Sequence, residues 1–194
     1  MIAQMPITFL TFLQSHYPIP KSDLQIIANH LSTRTVEAKT ILLREGATAQ
    51  EMFFICEGIL KIVTNNEKGN AVTQFFLKEN QFCTILDSFE NGVAAQESIV
   101  AAIDCELVVL QKQKLLRLYQ QLPYLKELIQ NITRRALLAK IAVRNAYMGE
   151  NAASRYETFL ARQPEIALRV PLGDVASYLG IAQQSLSRIR RNVR

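Results

Sequence analysis

The sequence predicts an α+β protein in which helices at both ends enclose an antiparallel β segment. Apolar residues recur at helical spacing in residues 7–31 and again after Lys112, while short β-rich runs separated by turn residues fill the segment between them. Short strands at roughly 8–12-residue spacing are typical of an antiparallel sandwich or barrel. With 194 residues, the chain is long enough to bury a core without disulfides or a structural metal.

The predicted β segment runs from about Ser32 to Gln111. Its β-rich runs are residues 40–43, 52–56, 59–64, 71–77, 98–102 and 106–110. Gly46, Gly58 and Gly69 follow or precede these runs, and glycine supplies the positive φ that tight turns require. The pattern therefore indicates tight turns between the strands.

Residues 124–147 predict one long helix, because no glycine or proline occurs before Gly149. Apolar side chains recur along it in alternating steps of four and three residues, which is the heptad pattern of a helix that packs along another helix. The predicted seam is Leu125, Ile129, Ile132, Ala136, Ala139 and Val143. Two compatible interpretations stay open: the seam forms a homodimer with a second copy, or the helix packs on its own domain.

The composition argues against an enzyme and against a metal site. The chain has three cysteines, an odd number with no CxxC pair, so neither a disulfide framework nor a zinc or iron–sulfur site is expected. A metal-dependent β-barrel enzyme needs several histidines inside the barrel, but His16 and His30 both precede the first predicted strand. We therefore predict no catalytic residues, no metal and no cofactor.

The chain is also predicted to have no membrane partner. No apolar run approaches the roughly 18 residues that a membrane-spanning helix needs. The first residues lack the basic start of a secretory signal. We expect a soluble, cytoplasmic protein.

The positive charge is concentrated at one end of the chain. Residues 181–194 contain four arginines and no acidic residue, whereas the preceding 180 residues carry 18 basic and 17 acidic groups. A basic block of this kind is typical of a nucleic-acid-binding element. A solvated cationic tail explains the charge alone equally well.

Residues 172–189 have the spacing of a helix-turn-helix, in which two short helices cross through a turn that contains glycine. Val175 and Leu179 form the apolar face of the first helix, and Gly180 occupies the turn. The predicted outward positions are Gln183, Gln184, Ser185, Ser187, Arg188, Arg190 and Arg191. Gln, Ser and Arg can contact base edges or phosphates, although a plain helical hairpin with a polar outer face is the simpler alternative.

The whole layout resembles the Crp/Fnr family of bacterial transcription regulators, and residues 169–191 are very similar to a branch common in Bacteroidetes-like bacteria. The resemblance implies a double-stranded antiparallel β-roll sensor domain similar to cyclic-nucleotide-binding domains (residues 1–122), a dimerisation helix (123–149) and a helix-turn-helix DNA-binding domain without a C-terminal wing (150–194). It implies that Arg188 reads guanine and that Gln183 and Gln184 face bases. Double-stranded DNA, a second copy and RNA polymerase are the implied partners.

The sequence departs from the family at the cyclic-nucleotide contacts. Thr84 and Ile85 stand where the family's ribose-binding Gly-Glu is expected, and Ala95 and Gln96 stand in place of its phosphate-binding Arg-Ser/Thr pair. Because a buried phosphate without a cationic partner is costly, we expect a degenerate effector pocket and no cyclic-AMP binding. The effector itself stays unknown.

We therefore predict a dimeric, sequence-specific DNA-binding transcription regulator. The alternative is a ligand-binding or protein-interaction module whose DNA-binding end has degenerated. The salt dependence of binding distinguishes the two, since only DNA binding must weaken steeply as salt rises.

Overall fold

The computed structural model describes residues 4–66, 69–147 and 149–192 of the chain. The helices of this part are α1 (Gln4–His16), α2 (Lys21–Asn29), α3 (Leu86–Asn91), α4 (Lys112–Gln121), α5 (Pro123–Asn145), α6 (Ala152–Arg162), α7 (Pro164–Arg169), α8 (Leu172–Leu179) and α9 (Gln183–Asn192). Its strands are β1 (Ser32–Val36), β2 (Ile41–Leu43), β3 (Glu51–Glu57), β4 (Leu60–Asn65), β5 (Ala71–Leu77), β6 (Phe82–Cys83), β7 (Ser98–Ala101) and β8 (Cys105–Gln111). The predicted α+β class is confirmed.

The strands form two four-stranded antiparallel sheets, in the orders β1-β8-β3-β6 and β2-β7-β4-β5. Strands that follow each other along the chain lie in different sheets, except β4 and β5, which are neighbours in the second sheet. The two sheets enclose a common apolar interior. The strand β5 lies at the edge of the second sheet, where its outer side is free to contact the C-terminal helices.

Each β-rich run of the sequence forms a strand. The elements β1, β6 and α3 were not predicted. The strand β1 reads Ser-Thr-Arg-Thr-Val, which offers little apolar alternation, and it is held by five-residue pairing with β8. The strand β6 has two residues and α3 has six, too few for a periodic pattern to be recognised. Tertiary pairing, rather than local propensity, fixes these elements.

Three apolar clusters hold the fold together. The first joins α1, α2, α4 and the start of α5 to the outer face of the first sheet, with Phe9, Phe54 and Phe82 packed edge to face at centroid distances of 5.0 to 6.0 Å. The second fills the space between the sheets. The third joins Ile59, Phe76 and other roll residues to the helices α6 to α9, so the C-terminal helices dock on the roll.

The turn at Gly58 requires glycine. Its φ is +102°, and a Cβ built on it would lie 2.3 Å from the carbonyl oxygen of Asp104. Both the left-handed backbone and the close approach exclude other residues. This turn joins β3 to β4 and so connects the two sheets.

The long helix α5 has 23 residues and begins at Pro123, as its fixed φ favours. Leu125 and Ile129 are buried in the first apolar cluster of their own chain, and Ile132 packs against that cluster. Val143 packs against the third cluster. The prediction that Leu125 and Ile129 form an intersubunit seam is therefore wrong, because both side chains are buried against their own roll.

A second apolar stripe on α5 faces outward. Leu138 is 60% exposed and Ile141 is 41% exposed. Neither belongs to the predicted seam, and Ala139 between them is exposed as well. The helix thus has one face on its own roll and another that this chain leaves uncovered.

Candidate nucleic-acid interface and ligand pocket

The helices α8 and α9 form the predicted helix-turn-helix. Gly180 closes α8 in the left-handed conformation, with φ +65°, and α9 begins three residues later, at Gln183. Leu179, Ile181 and Leu186 are buried in the third cluster, so they fix the crossing of the two helices. The polar face of α9 is turned away from this cluster.

All seven predicted outward residues lie on α9. Gln183, Gln184, Ser185, Arg188, Arg190 and Arg191 are exposed, and Ser187 is half-buried. Within the described part of the chain, none of the three arginines forms an ion pair. Their guanidinium groups are therefore available to an external anion. Arg194, the fourth arginine of the basic C-terminal block, lies outside the described residues.

Gln183 differs from the other outward residues. Its Oε1 atom lies 3.2 Å from the position that a Cβ on Gly173 would occupy. Gly173, in the first turn of α8, thus leaves room for this side chain to lie across the start of the neighbouring helix. The start of α9 is supported by α8 at this point.

The edge strand β5 holds α8 against the roll. The hydroxyl of Ser177 accepts a hydrogen bond from the N–H of Thr73, at 2.9 Å, and donates to the carbonyl oxygen of Ala71, at 3.3 Å. An ion pair of 2.5 Å joins Lys61 on β4 to Asp174 on α8. The first helix of the helix-turn-helix is therefore fixed to the roll, while the polar face of α9 stays exposed.

A bidentate pair, Arg169 with Glu79, also joins the C-terminal helices to the roll. The two hydrogen bonds measure 2.6 and 3.0 Å. Burial alone would raise the pKa of Glu79, but the hydrogen bonds from Arg169 and from backbone N–H groups outweigh it and lower the pKa below its ordinary value. Glu79 is therefore ionised near neutral pH.

A cavity of about 310 Å³ lies between the roll, α3 and α5. All four predicted pocket residues, Thr84, Ile85, Ala95 and Gln96, line it. The structure thus brings together two segments that lie about ten residues apart in the sequence. Most of the remaining lining is apolar and comes from β4, β5 and α5.

The polar groups of this pocket are largely used inside the protein. The Thr84 hydroxyl donates to the carbonyl oxygen of Glu51, at 3.0 Å. The Ser88 hydroxyl donates to the carbonyl oxygen of Val93, at 2.6 Å. The backbone N–H of Ala95 donates to another backbone carbonyl. These three groups are therefore not free to bind a phosphate.

Sequence reasoning missed the contribution of α5 to this pocket. Thr133, Ala136, Leu137 and Lys140 line it at positions i, i+3, i+4 and i+7 of the helix. This spacing is the available signal, because it places a lysine on an otherwise small or apolar stripe. Burial lowers the pKa of Lys140 to about 8.

Two negative findings concern the described residues only. They contain no group of three or more His, Cys, Asp or Glu side chains that could hold a metal ion. No helix among them is both long and apolar enough to cross a membrane.

Residues 33–122 match the family model of the cyclic nucleotide-binding domain. The chain is 21% identical over 182 residues to the cAMP-activated global transcriptional regulator CRP of Salmonella typhimurium, covering 88% of this chain and 87% of that protein. It is 30% identical over 124 residues to the anaerobic regulatory protein of Bacillus subtilis, covering 63% of this chain and 48% of that protein.

Solved structures share the fold. FixK2 from Bradyrhizobium japonicum superposes with a TM-score of 0.71 at 15% identity, covering 84% of both chains. The c-di-GMP responsive global regulator CLP of Xanthomonas campestris superposes with a TM-score of 0.70 at 15% identity, covering 90% of this chain and 91% of that one. The assignment to a Bacteroidetes-like branch stays a prediction.

Proposed function

Because the chain belongs to the Crp/Fnr family of transcription regulators, we propose that it is a dimeric, sequence-specific DNA-binding regulator. The observation that carries the proposal is α9, whose Arg188, Arg190 and Arg191 are exposed and form no ion pair with the described residues. Its sensor roll has lost the usual cyclic-nucleotide contacts.

The recognition helix suits the major groove. Arg188 is exposed on α9, and its planar fork matches the O6 and N7 acceptors of guanine. Gln183 and Gln184, at the start of the helix, are placed to contact base edges, since N-terminal residues of a recognition helix reach the bases. Arg190 and Arg191 contact phosphates in this arrangement, which positions the helix without reading sequence.

The dimer forms through the outward face of α5. Leu138 and Ile141 are large apolar side chains with high exposure on a 23-residue helix. An exposed apolar stripe on a long helix is typical of an interface with another helix. This face replaces the sequence-predicted seam as the proposed contact between two copies.

The effector pocket does not suit a cyclic nucleotide. The family resemblance places the phosphate at Ala95 and Gln96, where a cation or several free N–H groups would be needed. These two residues provide no charge and the Ala95 N–H is already bonded, whereas Lys140, which also lines the cavity, lies on α5. The Thr84 hydroxyl is bonded as well. We therefore propose that regulation by this roll uses a different small molecule.

Selection of binding sites from random double-stranded DNA tests the proposed function. A two-fold dimer with one recognition helix per subunit should enrich an inverted repeat whose half-sites lie about 34–36 Å apart, one helical turn. Enrichment of no sequence, together with retained protein fold by circular dichroism, would favour the alternative interaction module.

A further inference from the structure

The effector pocket contains a lysine that lacks a carboxylate partner in the described part of the chain. Lys140 is half-buried on α5 and donates to the Oε1 atom of Gln81, at 3.2 Å. The other two lysines bonded across elements of the roll, Lys61 and Lys78, each pair with a carboxylate of the C-terminal helices. Lys140 differs from these two lysines in lacking a carboxylate partner among the described residues.

The ammonium group of Lys140 has more hydrogen-bond donors than acceptors around it among the described residues. Lysine has three donors, and the amide oxygen of Gln81 is the one acceptor found for it within the described residues. Burying a charge is unfavourable unless it is paired. The pKa of Lys140, lowered to about 8 by burial, still leaves most of the group charged at neutral pH.

The cavity beside Lys140 is apolar. Ile62, Phe75, Leu77, Phe82 and Ile85 line it, and its volume is about 310 Å³. Ligand pockets of proteins are commonly apolar cavities with a few polar groups that fix the orientation of the ligand. An apolar ligand body fits this lining, and one anionic group fits Lys140.

Two carboxylates also line the cavity and disfavour any anionic group that is not paired with Lys140. Asp87 on α3 and Glu97 before β7 also line the cavity, and both would repel a second anionic group. The cavity on the other side of Lys140 is lined by Arg162 and by the Lys78–Glu165 ion pair.

A thiol also lies near Lys140. Burial raises the pKa of the nearby Cys83 thiol to about 12. Cys83 is therefore a neutral neighbour and cannot balance the lysine charge. Neither Asp87 nor Glu97 lies within ion-pair distance of the ammonium.

We infer that this pocket binds a small, mainly apolar monoanion, such as a monocarboxylate, with the Lys140 ammonium as its ion-pair partner. The regulatory meaning of this binding rests on the proposed function, since the ligand would be the effector of the regulator. Lys140 lies on the same helix as Leu138 and Ile141. Binding at this position is thus coupled by one rigid element to the face proposed for the dimer.

Isothermal titration calorimetry with a charged and a neutral probe of the same shape tests the inference. Octanoate should bind the full-length protein roughly 10- to 100-fold more tightly than octanamide, the range expected for a hydrogen bond to a charged group. Decanoate extends the test to a longer alkyl chain, and 4-phenylbutyrate extends it to an aromatic ring. Cyclic AMP serves as the nucleotide probe.

Variants of Lys140 separate its charge from its packing. Lys140→Met should remove the preference for octanoate over octanamide, whereas Lys140→Arg should retain most of it. Lys126→Met, an exposed lysine of the same helix that does not line this cavity, is the matched control and should bind like the wild type. Thermal unfolding of each variant shows whether it is folded.

Four results would overturn the inference. One is equal affinity of the wild type for octanoate and octanamide, and another is unchanged octanoate binding by folded Lys140→Met. The third is no saturable heat with any of the three carboxylates up to the millimolar range. Micromolar binding of cyclic AMP would likewise contradict the assigned ligand class.

The titration contains no DNA, so its failure and that of the proposed function are distinguishable. Octanoate binding without site enrichment from random DNA would support the pocket and reject the regulator. Site enrichment without any carboxylate binding would support the regulator and reject the monoanion.

Discussion

The proposed recognition helix α9 and the proposed effector pocket both carry cations that lack a carboxylate partner among the described residues, but their surroundings differ. Arg188, Arg190 and Arg191 on α9 are exposed, so water solvates them at little cost. Lys140 is half-buried beside an apolar cavity, so its charge is unfavourable until an anion binds. The exposed cations suit a polyanion such as DNA, whereas the buried one suits a single small anion.

The largest effect is expected from a substitution that disrupts the proposed dimer, on which DNA binding depends. Leu138→Glu places like charges opposite each other on the outward face of α5 and should weaken the dimer at least about 100-fold, since two buried leucines are lost. Sedimentation of wild type and variant at micromolar concentration measures this. Leu168→Glu, at an 84% exposed leucine on α7, is the control and should stay dimeric. A wild type that sediments as a monomer contradicts the proposed face.

Removal of one exposed cation should alter specificity. Arg188→Ala should cost roughly 1–3 kcal/mol on the selected site and relax discrimination at one base pair. Site selection from random DNA with both proteins measures the change. Arg162→Ala, an exposed arginine of α6, is the control. Uniformly weaker binding with unchanged base preference would remove Arg188 from sequence readout.

Removal of the buried cation should stabilise the protein. Because the folded-state pKa of Lys140 is lowered from 10.5 to about 8, the ammonium destabilises the fold below pH 8, and this penalty disappears as pH rises toward 10.5. Lys140→Met should therefore be more stable by about 1–3 kcal/mol at pH 7, with no gain near pH 10.5. Urea unfolding at both pH values measures the difference. A destabilised variant at pH 7 would show that the aliphatic packing or hydrogen bond of Lys140 outweighs its charge.

The smallest expected effect concerns the ion pair that joins the C-terminal helices to the roll. Arg169→Ala should destabilise the docked helices by roughly 0.2–1 kcal/mol at pH 7, as for other partly exposed ion pairs. Because the folded-state pKa of Glu79 is lowered, the contribution is present above the ordinary carboxyl pKa and is lost as pH falls through the folded value. Urea unfolding at pH 7 and in acid tests this. An equal effect at both pH values would assign Arg169 a packing role.

The sequence could predict features that depend on neighbouring residues, but not contacts between residues far apart in the chain. The turn at Gly180, the apolar face of α8 and the polar face of α9 depend on neighbouring residues, and the helix-turn-helix was predicted from them. The pairs Lys61–Asp174 and Arg169–Glu79 join residues about 90 or more positions apart, and no local pattern indicates such pairs.

The long helix shows where periodicity alone is ambiguous. The stripe of Leu125 and Ile129 has the spacing of a coiled-coil seam, but the same spacing serves a helix that lies on its own roll. Periodicity shows that a face is buried without showing by what. Lys140 was missed for the related reason that a lysine beside apolar positions is commonly read as solvent-exposed.

The salt dependence of DNA affinity tests the central claim most directly. Fluorescence anisotropy on the selected site and on a random duplex should show log K falling linearly with log salt concentration. The slope should be about −3.6 if Arg190 and Arg191 of the two subunits neutralise about four phosphates. Arg191→Ala should reduce the slope by about 2 per dimer, with equal weakening on both duplexes. An affinity that does not change with salt, or no measurable affinity for either duplex at low salt, would contradict DNA binding through α9.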